Sequence, residues 1–161
     1  MNTSFAHFKK IITNKFKFRI FLLKNLPVVL FSGIQIQALT EQQAIISVKQ
    51  KWFNKNPFQS VYFAALSMAA EMSTGLLAMG NIYKRKPGVS MLVTKMEAVF
   101  IKKATGKIVF TCNDGSALTQ CVEDAIATGE GKSIVCKSVG TNANNEIVAE
   151  FYISWSFKTK A

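Results

Sequence analysis

Val61-Tyr62-Phe63-Ala64-Ala65-Leu66-Ser67-Met68-Ala69-Ala70-Glu71-Met72-Ser73-Thr74-Gly75-Leu76-Leu77-Ala78-Met79 is the stretch on which the fold turns. It reads as a helix apolar or small on nearly every side, the pattern of a helix wrapped by other structure. Between Lys55 and Lys84 the only full charge is Glu71. A carboxyl in such surroundings is costly unless it is paired, hydrogen-bonded or used for chemistry, so Glu71 is the first candidate catalytic residue. The segment has about the length that crosses a bilayer. Its Ala, Ser, Thr and Gly gain little from hydrocarbon, however, and a central charge costs roughly 2.5 to 3.5 kcal/mol on insertion. The other apolar stretches are short and mostly alternate as strands do, which favours an α+β domain that buries this helix.

A chain of 161 residues makes one domain with room for a real core. Cys112, Cys121 and Cys136 lack CxxC spacing and leave an odd thiol under any pairing, so neither a disulfide framework nor a zinc site is indicated and a reducing, cytoplasmic setting is expected. The single histidine, His7, lies outside the folded-looking body, which removes Ser-His-Asp and Cys-His catalysis and His-based metal sites. Chemistry is left to carboxylate, hydroxyl, amide or backbone groups, with no metal and no resident cofactor expected.

The net charge of +11 is unevenly placed, with no acidic residue before Glu41. Lys9, Lys10, Lys15, Lys17, Arg19 and Lys24 interleave with Phe5, Phe8, Ile11, Ile12, Phe16, Phe18, Ile20, Phe21 and Leu22. Residues 1–26 therefore read as a basic amphipathic segment before a domain at 27–161, suited to an anionic membrane surface or a partner groove and dispensable for the fold. The competing reading is a helix packed on the domain with a solvated lysine edge. Charges run through the apolar part and no small-residue cleavage site follows, which argues against a secretory signal; a mitochondrial-type presequence is the remaining targeting alternative. Nucleic-acid binding is not expected, because no recognition motif accompanies the charge.

Strands are expected at 28–38 and 44–52, joined near Leu39-Thr40-Glu41-Gln42. Asn56-Pro57-Phe58-Gln59 supplies an N-cap, a proline and a Gln that predict the start of the long helix, and Gly80-Asn81 and Lys84-Arg85-Lys86-Pro87-Gly88 predict its exit. Further strands are expected at 91–102 and 107–113 around the Ala104-Thr105-Gly106 turn, then a helix at 117–128 ending at Gly129. A last pair is expected at 133–139 and 146–158, the final strand alternating Ile147, Ala149, Phe151, Ile153, Trp155 and Phe157 against wetter residues. About six strands then surround one helix.

A curved antiparallel sheet around one long helix that follows two strands resembles the hotdog fold. The resemblance covers about residues 28 to 158 and is most specific from Asn56 to Glu71. In the branch containing phenylacetate-pathway and 4-hydroxybenzoyl-CoA thioesterases, Asn is followed six residues on by His-Gly, and nine residues after that His by Asp or Glu. Asn56, Tyr62-Phe63 and Glu71 fall at those spacings. The run Asn-Pro-Phe-x-Ser-x-Tyr-Phe-Ala-Ala-Leu-Ser-Met-Ala-Ala-Glu is more similar still to a single-domain hotdog group without a settled activity, which the additional helix at 117–128 also resembles.

The resemblance implies hydrolysis of acyl-CoA or acyl-carrier-protein thioesters in a homodimer, or in a dimer of dimers, with coenzyme A as part of the substrate. At about 100° per residue, nine residues put Tyr62 and Glu71 on opposite sides of one helix, so a shared site needs two copies related by a twofold axis. The Phe63 backbone N–H would polarise the thioester carbonyl, Asn56 would add a donor, and Glu71 would activate water or attack directly. Asn56 has the alternative of a plain helix cap, and Glu71 that of a structural acid bonded to Ser67, Thr74 or an amide. Tyr62 and Phe63 replace His-Gly, and a Phe side chain narrows or redirects the approach to the helix start. Ser90 stands near a family hydroxyl that orients water. Lys84, Arg85 and Lys86 form either a phosphate-binding loop for coenzyme A or a solvated one. The rival function is a non-catalytic module that binds acyl-CoA or a fatty acyl ligand.

Overall fold

The computed structural model describes residues 2 and 4–160. The element order is α1 (Phe5–Ile12), α2 (Lys15–Asn25), α3 (Pro27–Phe31), β1 (Ile34–Leu39), β2 (Ala44–Lys49), a short 3-10 turn (Trp52–Asn54), α4 (Phe63–Ile82), β3 (Val89–Phe100), β4 (Lys107–Cys112), α5 (Gly115–Thr128), β5 (Lys132–Thr141) and β6 (Ile147–Thr159). The strands form one six-stranded antiparallel sheet in the order β1-β2-β4-β5-β6-β3. Its concave face receives α4, giving the expected α+β hotdog architecture.

The apolar sides of the strands explain this wrapping. In β6, Phe151, Ile153, Trp155 and Phe157 alternate inward as their period-2 pattern requires, and Phe151, Ile153 and Phe157 are fully buried. They meet the small, apolar faces of α4, where Ala69, Ala70, Leu77 and Ala78 have no exposure at all. By length and composition α4 is apolar enough to cross a membrane, but 67% of its most apolar window is buried inside the fold, as befits a core helix. Ser73 Oγ lies 2.8 Å from Ser138 Oγ and donates to the Ala70 carbonyl or to Ser138, so the polar groups on its buried side are partnered.

Three sequence expectations shift in register. The strand expected from Val28 begins only at Ile34, because Pro27 at the first turn starts α3 and Val29 turns into the core; Gly33, at φ +71°, then redirects the chain. The long helix starts at Phe63 with Tyr62 in the extended N-cap conformation, not at Asn56. It also runs past Gly80, where a Cβ would lie 2.3 Å from the Phe5 ring, and ends near Lys84 at φ +53°. The helix at 117–128 starts slightly earlier, at Gly115, where any Cβ would strike the Glu41 carbonyl, and stops at Gly129 in the left-handed conformation as expected.

The largest correction concerns the N-terminal stretch. Phe5, Phe8, Ile12, Phe18 and Leu22 belong to the same buried cluster as α4 and the sheet. Asn2 Nδ2 faces the carbonyls of Gly80 (2.8 Å), Asn81 (3.2 Å) and Tyr83 (2.7 Å), so it caps the C-terminal end of α4. Residues expected as a dispensable arm are thus part of the core, with their lysines on the solvated side. The decisive feature is the packing of Phe5 on Gly80, a long-range contact that no local pattern encodes.

Candidate active site

Two features of α4 make up the candidate site, its start and its open face. At the start, the Tyr62 N–H donates to the Asn54 carbonyl (2.7 Å), while the N–H groups of Phe63 and Ala64 donate to nothing among the described residues. Asn54 fixes this geometry. Its buried carboxamide accepts from the Lys51 N–H (2.8 Å) and donates to the carbonyls of Ser32 (3.0 Å) and Lys49 (2.9 Å), tying the end of β2 to the entry of α4. The result is a pair of unsatisfied donors at the positive end of a 20-residue helix dipole, a favourable place for developing negative charge.

The open face follows helical spacing. Ala64, Ser67, Met68, Glu71 and Met79 are only partly buried, whereas Ala65, Leu66, Ala69, Ala70 and the run from Met72 to Ala78 are buried. The Glu71 carboxyl accepts no hydrogen bond and forms no ion pair among the described residues. Burial holds its pKa above the usual carboxylate value. Its Oε1 occupies space left by Gly75, where a Cβ would stand 2.9 Å from it and 3.3 Å from the Trp155 ring. Trp155 is itself fixed by donating from Nε1 to Thr74 Oγ1 (2.9 Å). Glu71 therefore sits in a slot walled by an indole, with no basic residue to neutralise it. The structural-acid alternative with Ser67 or Thr74 is not what the geometry shows: those hydroxyls donate to the backbone carbonyls of Phe63 (2.9 Å) and Glu71 (3.0 Å).

The other sequence-derived site residues are scattered. Asn56 does not cap α4; its Oδ1 accepts from the Phe58 N–H (3.0 Å), the Ser60 N–H (3.1 Å) and the Ser60 hydroxyl (3.2 Å), closing the loop before the helix. Its Nδ2 has no acceptor among the described residues. Tyr62 and Phe63 are exposed and their rings meet at 4.7 Å between centroids; Phe63 also contacts Phe100 of β3 edge-on at 6.4 Å. Ser90 is exposed on β3 and its hydroxyl donates to the Lys158 carbonyl (2.9 Å), so it is spent on the neighbouring strand. Arg85 is drawn inward, its Nη2 2.7 Å from Glu123 Oε1 and its Nε donating to the Asn81 carbonyl (2.9 Å), which joins α4 to α5. Lys84 leans over the Tyr83 ring, 5.4 Å from its centroid, and Lys86 is exposed.

Phe63 and Glu71 are eight residues apart, so the free N–H groups and the carboxyl lie about 12 Å apart along one helix at 1.5 Å per residue. Within one chain the two candidate features are therefore not brought together. Beside them runs β3, the last strand of the sheet, with Leu92 (65% exposed), Val99 (52%) and Phe100 (52%) uncovered. Among the described residues no cluster of three His, Cys, Asp or Glu side chains is placed to hold a metal. Cys112 and Cys136 are buried, and the Cys136 thiol is pushed far up in pKa, first by its hydrogen bond with Cys112 and then by burial, which disqualifies it as a nucleophile.

The fold agrees with the comparisons to known proteins. The family model described as Domain of unknown function (DUF4442) matches residues 15–157. The chain is a DUF4442 protein. Among solved structures, a Pseudomonas aeruginosa protein of unknown function named a probable thioesterase superposes with a TM-score of 0.76 at 20% identity, over 90% of this chain and 96% of that one. A Chlorobaculum tepidum protein of unknown function gives 0.76 at 17%, covering 94% and 99%. A Haemophilus influenzae thioesterase gives 0.60 at 13%, covering 85% and 86%. At these identities the likeness establishes the fold. Comparison with curated proteins finds no match.

Asn54, Gly75 and Trp155 are the site-forming residues that the sequence reading missed, and Thr74, considered there as a partner of Glu71, instead holds Trp155. Gly75 left a signal, a glycine in mid-helix one turn after the isolated acid, where a packing reason is usual. Two partners of Asn54, Lys51 and Lys49, are close in sequence, but its tie to Ser32 spans 22 residues and no local pattern announces it.

Proposed function

We propose that this DUF4442 protein is a cytoplasmic hydrolase of acyl thioesters, carried on coenzyme A or on an acyl-carrier protein, that works as a homodimer. The single observation that carries this reading is the unpartnered, desolvated carboxyl of Glu71 on the open face of a helix whose start also presents free N–H donors. In the dimer, two β3 edges meet and two α4 helices run antiparallel, so that the helix start of one copy approaches Glu71 of the other. A thioester carbonyl seated there accepts from the Phe63 N–H, with the Asn56 carboxamide as a further donor. Glu71 takes a proton from water, the water oxygen bonds to the carbonyl carbon, and the charge passes to the carbonyl oxygen at the helix start. Collapse of that intermediate breaks the carbon–sulfur bond and Glu71 returns the proton to the leaving thiolate. Burial suits Glu71 to this work, because a carboxylate with a raised pKa is a stronger base. Lys84 and Lys86, which have no ion-pair partner among the described residues, are available to the phosphates of coenzyme A.

A second reading has its own observation. Phe63 places a large exposed ring at the helix start, against Tyr62 and Phe100, where hotdog thioesterases of the branch that the sequence resembles have glycine. A site narrowed in this way binds acyl-CoA or a fatty acyl ligand without turning it over. Thiol release from acyl-CoAs of short, medium and long chain separates the two readings. Hydrolysis anywhere in the panel that is lost in Glu71→Gln supports the enzyme. Tight binding with no turnover across the panel overturns it in favour of the binding module.

A further inference from the structure

At the β1 edge of the sheet, α2 and the outer edge of β1 enclose a groove of about 410 Å³, within the range of roughly 300–1,000 Å³ typical of small-molecule sites. Helical spacing constructs one wall. Lys15, Phe18, Arg19 and Leu22 stand at i, i+3, i+4 and i+7 on α2 and line it together, two of them apolar and two cationic. Ile36 of the β1 edge faces them, and Lys51 enters over Gly33, where the missing side chain makes room: a Cβ there would be 2.7 Å from the Lys51 Nζ.

The charge distribution identifies the occupant. Phe18 and Leu22 are buried, whereas Lys15, Arg19 and Lys51 are exposed and form no ion pair among the described residues. No carboxylate lines the groove, and none precedes Glu41 in the chain. Three cations without counter-ions around an apolar floor complement a molecule with a hydrocarbon tail and an anionic head. We infer that this groove binds a single-chain fatty carboxylate, its tail along Phe18, Leu22 and Ile36 and its head group paired with Lys15, Arg19 and Lys51. The site is separate from Glu71 and does not rest on the proposed hydrolase function. The exposed Phe16, Ile20 and Leu23 of α2 lie outside the groove, and a bilayer surface reached through them is the alternative that the vesicle arm of the test separates.

The test is equilibrium titration of the full chain with dodecanoate labelled at its carboxyl carbon, below its micelle concentration, followed by NMR. The expected result is a saturable bound carboxyl signal, weakened on the order of tenfold or more in Lys15→Ala/Arg19→Ala/Lys51→Ala and in Ile36→Trp, and unchanged in Glu71→Gln. The three cations are exposed, so their removal leaves the fold intact and decides the matter even where Ile36→Trp fails to fold. Absence of binding overturns the inference, as does binding indifferent to the triple variant. Loss of the signal in Glu71→Gln would move the ligand to the other site. Association with anionic phospholipid vesicles but not with dodecanoate would replace the fatty carboxylate by a membrane surface.

Discussion

β1 and β3 bound the same sheet, yet one edge is guarded and the other is open. β1 has six residues, a bulge at Gln37 where the register slips between Ile36 and Ala38, and the helices α2 and α3 beside it. β3 also has a bulge, between Val93 and Lys95, but it has twelve residues and runs almost its full length against β6 with its outer side bare. Short, bulged and covered strands are how proteins protect an edge, whereas a long apolar strand is a template for pairing. The same asymmetry extends to the helix. The flank of α4 that carries Glu71 and Met68 is incompletely covered, while its other faces are sealed. The open edge and the open helix face meet where the Phe63 ring touches Phe100, so the proposed partner copy would reach both.

Removing the guard is the most disruptive way to test this contrast. Deleting residues 1–24 takes Phe5, Phe8, Ile12, Phe18 and Leu22 out of the core, each contributing about 1.5–3 kcal/mol, and uncaps the end of α4. The truncated chain is expected to unfold or aggregate at 25 °C by circular dichroism and sedimentation. A folded, soluble truncation would show that the β1 side needs no cover.

Glu71→Gln comes next. Thioester hydrolysis should fall on the order of a hundredfold or more, the scale of lost acid–base catalysis, while dimerisation and acyl-CoA binding persist. A dimeric variant with near-normal turnover removes Glu71 from the chemistry.

Charge placed on the two edges sharpens the contrast directly. Leu92→Lys with Val99→Lys on β3 should raise the dimer dissociation constant at least roughly tenfold in sedimentation equilibrium, and turnover should fall in parallel. Gln35→Lys on β1 should change neither. Equal effects from both edges would mean that the dimer is not built on β3.

The smallest effect is in pH-dependent stability. Burial raises the Glu71 pKa in the folded state, so the folded protein holds this proton more tightly than the unfolded chain does. Its contribution to stability therefore falls as pH rises from the ordinary value of 4.5 to the raised one, and is level above it. Glu71→Gln lacks this loss. Its melting temperature should exceed the parent's by a few degrees above neutrality, with the difference shrinking towards pH 4. A pH-independent difference would mean that the carboxyl is solvated in solution.

Much of the architecture was legible because it follows from periodicity. The alternation through Phe151, Ile153, Trp155 and Phe157 fixed the inward face of β6, and the nearly uncharged run around Glu71 marked the central helix. The start of that helix was misread because Asn56-Pro57 has the local form of a cap. In the fold, the Asn56 oxygen is taken by Phe58 and Ser60, and the chain needs six more residues to enter beneath the sheet at Phe63. Of the site, Glu71 was visible as a lone acid and Phe63 through resemblance, whereas Trp155 and the tie from Asn54 to Ser32 were not, since those contacts join residues far apart in sequence.

By itself, then, the sequence determined the class of fold, the identity of the buried helix and the residue whose charge is out of place, because hydrophobic pattern and charge are properties of the chain read locally. Only the tertiary structure decided that the basic N-terminus belongs to the core, that Arg85 is bound to Glu123 and unavailable to a ligand, and that the Glu71 carboxyl has a slot and no partner. Those outcomes depend on which surfaces meet across the fold, such as Phe5 on Gly80 and Trp155 beside Gly75, and such contacts are set by shape and packing that one-dimensional patterning does not contain.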